Sequence, residues 1–143
     1  IPICLNGDGE FSYIMCRYMD GHNIDLGLEF PAYLLRKGEE FGKAAQEMLK
    51  LRTSLDAQSL KFIYRHYPEK GRGAVHSYIA IIDKDKVDRK SLSYEVLSAK
   101  DLHKNILDNE IIDSTTLAAL AILLFRSPKM IDYLSAPEAK EKE

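Results

Sequence analysis

Cysteine is scarce. Cys4 and Cys16 are the only two in 143 residues, and they lack a CxxC spacing. The expected state is two reduced thiols in the core, with a disulfide or a metal site as the alternative. His22, His66, His76 and His103 show no HExxH or Cys/His metal spacing. No run is long and apolar enough to cross a bilayer. The apolar run at residues 117–125 is too short and reads as a buried helix. An excess of one charge is also missing. With 20 Lys and Arg against 22 Asp and Glu, the net charge is −2. No global field favours nucleic acid or an anionic membrane, although a local basic patch stays open. No signal peptide is visible. The chain begins at Ile1 rather than Met, which suggests that preceding residues are missing and would hide a leader. The expected location is intracellular and cytoplasmic, with an organelle as the alternative.

What is present is a single globular domain. The length supports one core, and 45% hydrophobic with 29% charged residues is ordinary for such a domain. Residues 1–5 form a short apolar run, and Asn6, Gly7, Asp8 and Gly9 follow as a turn signal. Residues 11–18 are rich in aromatic and β-favouring types, so they read as the second strand of a hairpin. Residues 19–23 are turn-like. Strands are expected at 59–67, 74–82 and 93–97. A loop with Pro68, Gly71 and Gly73 and a charged loop at 83–90 separate them. Helices are expected at 102–107 and after Asp113 or Ser114, either of which can cap free N–H groups. The last helix weakens at Ser127 and Pro128. Residues 1–135 are taken as the domain, and 136–143 as a charged, disordered tail.

The stretch 28–55 organises the rest. Leu28, Glu29 and Phe30 read as a strand stopped by Pro31. A helix begins near Glu39 and Glu40, whose charge suits an N-terminal dipole. Phe41, Ala44, Ala45, Met48, Leu49 and Leu55 follow the helical repeat. This stretch resembles the Nudix box of Nudix hydrolases, in the variety that cleaves ADP-ribose and other nucleoside diphosphate sugars. Glu29, Pro31 and Ala32 match its E-x-P-A-G opening. Gly38 and Glu39 match its Gly-Glu pair, and Ala44 and Ala45 its small pair. Tyr33 replaces the box glycine. Glu47 and Met48 stand for the Arg-Glu pair, Leu51 and Arg52 for two further glutamates, and Ser54 for the closing glycine. Tyr67, Pro68 and Gly71 match an aromatic-Pro-x-x-Gly segment of the family. Residues 108–120 resemble its Gly-Glu-Ile-x-Asp-x-x-Thr-x-x-Ala-Leu ending, with Asn109 at the glycine. Asn tolerates the left-handed turn that glycine would make there.

The resemblance implies an α/β fold, a Nudix-type α/β/α sandwich with a mixed β-sheet between the box helix and the last helix. It also implies hydrolysis of a diphosphate by water, with Mg or Mn ions held by helix glutamates. Met48 and Leu51 cannot ligate a hard cation, and Arg52 repels one; both apolar residues read as core. The expectation is therefore a domain without catalytic residues, resident metal or cofactor that serves binding or assembly. Tyr33, Arg52 and Arg72 are its expected ligand or partner surface. The partner is a protein or a nucleotide-like ligand, with no membrane. The alternative is an active hydrolase of ADP-ribose or related nucleoside diphosphates, with a displaced Mg or Mn site at Glu39, Glu40 and Glu47. Glu39 and Glu40 also read simply as dipole complement and solvated surface. Gly71 and Gly73 flank Arg72 and could cradle a phosphate, but a plain loop is the simpler reading. Lys84, Lys86, Arg89 and Lys90 interleave with Asp83, Asp85 and Asp88, which favours a solvated loop over an RNA contact.

Overall fold

The computed structural model describes residues 1–126 apart from 8, 20, 23 and 72. Ser127, Pro128 and the expected tail at 136–143 lie outside the described residues. The elements are β1 (Pro2–Leu5), β2 (Phe11–Met19), β3 (Asp25–Glu29), α1 (Phe41–Thr53), β4 (Ala57–His66), β5 (Val75–Ile82), β6 (Glu95–Ser98), α2 (Ala99–Leu107) and α3 (Ser114–Arg126). A single 3₁₀ turn at Lys84–Lys86 interrupts the charged loop.

The sheet runs β3-β2-β1-β5-β4, and β6 also pairs with β2. β1 and β5 are parallel. The other pairings are antiparallel, so the sheet is mixed. The expected hairpin joins β1 to β2. Its turn is closed by the Asn6 N–H donating to the Glu10 carbonyl at 2.7 Å. The long strand β2 pairs its first half with β1 and β6 and its second half with β3.

Successive strand side chains point to opposite faces, and here that alternation splits the core in two. Ile3, Tyr13, Met15 and Ile79 join Leu102, Ala119, Leu120 and Leu123 of α2 and α3. Cys4, Ile14, Cys16, Ala80 and Ile82 join Leu49 of α1. The sheet therefore lies between α1 and the C-terminal helices, an α/β/α sandwich.

Local chemistry sets the helix ends. α1 follows Gly38, whose φ of 89° needs glycine. It stops at Ser54, a left-handed C-cap whose N–H donates to the Lys50 carbonyl. α2 begins at residue 99, three residues before the expected start. Ser98 and Asp101 form a reciprocal capping box there. For α3 the cap is Asp113, whose carboxylate accepts from the Thr116 N–H at 2.8 Å. β3 starts three residues earlier than expected and ends at Glu29. Asp25 and Gly27 are poor strand formers, but Arg17 and the loop before α3 hold them in place.

Candidate functional site

Glu29 ends β3, and the chain then crosses residues 30–40 to reach α1. Phe30 is anchored first. Its N–H donates to the Thr116 hydroxyl at 3.1 Å in a buried contact that ties the loop to α3. Glu39 fixes the other end of the loop. One of its oxygens accepts from the Tyr33 hydroxyl at 3.1 Å and the other from the Arg36 N–H at 2.6 Å. Its charge thus serves the loop. The residue at the helix N-cap is Glu40, which makes no side-chain cap bond. The Glu39 hydrogen bond pushes the Tyr33 phenol above its ordinary value, and the charges of Glu39 and Glu47 add to this. Glu40 and Glu47 are exposed.

α1 places the three residues at the box's carboxylate positions in different surroundings. Met48 is half-buried and faces a cavity. Leu51 is 77% exposed, contrary to its expected place in the core. It lies two residues beyond buried Leu49, about 200° around the helix axis. Arg52 turns inward. Its Nη1 meets Glu29 Oε1 at 3.2 Å, with side chains only 26% and 16% exposed. Beneath them sits buried Cys16, opposite Glu29 in the β2–β3 ladder. Burial pushes its thiol up; Arg52 opposes that shift and Glu29 adds to it.

Beside α1 lies a cavity of about 740 Å³. Its walls come from the loop after β3 (Phe30, Tyr33, Leu35), from α1 (Phe41, Ala45, Met48), from β5 (His76, Tyr78) and from the start of α3 (Thr115, Thr116). Phe41 and His76 stack with centroids 3.8 Å apart and planes at 13°. Phe62 packs against both His76 and Tyr78 at 5.8 Å. Of the three residues expected to form a ligand surface, Tyr33 lines this cavity and Arg52 is engaged with Glu29. Arg72 lies outside the described residues. Sequence reasoning did not find the Phe41–His76 stack or the Arg52–Glu29 pair. Both join residues more than 20 positions apart, with no local pattern.

No protein-family model matches the sequence, and no curated protein matches it. Solved structures do. A MutT/Nudix family protein from Listeria innocua superposes with a TM-score of 0.62 at 14% identity, covering 95% of this chain and 94% of that one. An ADP compounds hydrolase gives 0.60 at 14% identity, over 90% of this chain and 72% of that one. The Ap4A hydrolase of C. elegans gives 0.55 at 14%, over 87% and 93%.

The fold is the Nudix fold.

At such identities the likeness carries the architecture, and the chemistry has to be read from the residues. On α1 of this Nudix fold, the positions where the sequence resemblance implies metal-holding glutamates carry a thioether, a hydrocarbon and a guanidinium. None is an oxygen donor, and hard divalent cations take oxygen ligands. These residues do not fit such an ion. Among the described residues, no three His, Cys, Asp or Glu side chains are grouped so that they could hold a metal.

Proposed function

We propose that this chain descends from the Nudix hydrolases and has exchanged metal-dependent diphosphate hydrolysis for binding or assembly. The observation that carries this reading is the Arg52–Glu29 pair. A fixed positive charge on α1 neutralises the carboxylate that ends β3, in the place where the resemblance implies that glutamates gather around metal. A divalent cation placed there would face a guanidinium, and like charges at such range repel strongly when partly buried. The displaced alternative at Glu39, Glu40 and Glu47 draws less support, since both oxygens of Glu39 already accept hydrogen bonds from its own loop. Tyr33, at the cavity wall, belongs to the proposed binding surface. The proposed setting is the cytoplasm, in keeping with two buried free thiols.

The test is direct. Purified protein is incubated with ADP-ribose and either magnesium or manganese, and product is followed by chromatography. No metal-dependent turnover is expected. Turnover on the order of 1 per second or faster, typical of enzymes, would overturn the reading.

A further inference from the structure

The cavity beside α1 has a property that separates it from a nucleotide site. Among the described residues, its walls include no Lys, Arg, Asp or Glu. The nitrogen of Ile1 lies at the same cavity and donates to the Tyr78 carbonyl at 2.7 Å. On α1, Arg52 is paired with Glu29. A diphosphate entering here would leave water without a counter-charge, which is costly. What the walls do offer is aromatic and aliphatic side chains, with the hydroxyl-bearing Ser77 and Thr115 among them. The volume falls within the usual span of small-molecule sites, roughly 300–1,000 Å³, and such sites are mostly apolar with a few polar groups to fix orientation.

We propose that this cavity binds an uncharged, largely apolar ring compound carrying one or two hydrogen-bonding groups, and that it does not bind a nucleoside diphosphate. This rests on the reading of the domain as a binding module and names its ligand class. Flat rings suit the site because Phe41, His76, Tyr33 and Tyr78 are among its wall residues, and aromatic pairing adds to the gain from burial.

The experiment is a fluorescence titration of the full chain with N-phenyl-1-naphthylamine, an uncharged two-part aromatic probe that brightens in apolar surroundings. Saturable binding at one site is expected. Ala45→Phe, which fills the cavity from α1, should weaken it by roughly tenfold or more. Ala32→Trp fills the same space from the exposed loop, where folding is not at stake, and should do likewise. Leu92→Ala, at a fully exposed position away from the cavity, should bind as wild type does. ADP-ribose should not displace the probe. The proposal falls if the probe fails to bind, if both filling variants bind it normally, or if ADP-ribose competes with it. It also falls if wild type sediments as a dimer and the filling variants as monomers, since a second copy would then occupy the cavity. Metal-dependent cleavage of ADP-ribose, with probe binding intact, would sink the loss of hydrolysis and leave this site standing.

Discussion

Arg52 sits one turn beyond Met48 on α1, and its guanidinium meets the carboxylate of Glu29. Removing one member of a partly buried pair strands the other. Arg52→Ala should therefore destabilise the fold by about 1–3 kcal/mol, read as a lower urea midpoint with an unchanged slope. Arg52→Lys keeps the charge and should lose less. Equal stability for Arg52→Ala and wild type would mean the pair contributes nothing. Gly27 is constrained in another way. Its φ is 90°, and a Cβ there would run into the Glu110 carbonyl oxygen. That oxygen also accepts from the Leu28 N–H at 2.6 Å. Gly27→Ala should cost more than about 2 kcal/mol, since conformation and contact are both incompatible with a side chain; thermal unfolding measures it. Some of these residues announce themselves in sequence and others do not. Asn109 was expected to take a left-handed turn, and its φ is 57°. Ser54 has a φ of 60° at the helix end; serine itself gives no such signal, and only its place at the motif's closing glycine hints at it. The Arg52–Glu29 contact spans 23 positions, beyond any local rule.

Among the elements, α1 carries the clearest test of the site's history. Converting Met48, Leu51 and Arg52 to Glu would place three carboxylates on neighbouring turns of one helix, one of them at Glu29. The three changes differ in cost. Leu51 is exposed, so its change should be nearly neutral. Met48→Glu carries a charge toward an uncharged cavity, and Arg52→Glu sets like charges face to face. The triple variant should unfold at lower temperature than wild type and recover part of that loss with manganese, by mass action. A folded variant with no more manganese stabilisation than wild type would mean that these positions do not converge. Element types were legible because β-favouring residues crowd β2 and β5 and the helical repeat runs through α1. Boundaries were less so. The capping box at Ser98 and Asp101 lies ahead of the apolar run that marks α2. The ladder between β4 and β5 shifts register between Phe62 and Tyr64, a bulge that leaves no mark in the pattern.

At the scale of the whole molecule, the two cores share one sheet, and titratable groups are sealed within them. Burial pushes the thiols of Cys4 and Cys16 above their ordinary value of 9.0, and the Tyr13 phenol above 10.0. In the unfolded chain these groups release protons from about pH 9 upward. The folded chain retains them, so it binds more protons and its stability declines as pH rises. Urea midpoints should be level between about pH 7 and 8 and lower by pH 10. A Cys4→Ala, Cys16→Ala variant should show a shallower decline; an identical slope would remove the thiols from the explanation. The architecture itself was readable because the order of strands and helices survives even where the box residues do not. The cavity was not readable, because its walls come from stretches as far apart as Ile1 and Ala119 that meet only in the folded chain.

The parallel pairing of β1 with β5 also governs events on the ribosome. Pro2 waits for Ala80, and at about 5–20 residues per second that partner emerges several seconds later. The hairpin with β2 can close at once, but the outer edge of β1 stays open to neighbouring nascent chains throughout the delay. The delay exposes that edge before the stability of the folded chain comes into play.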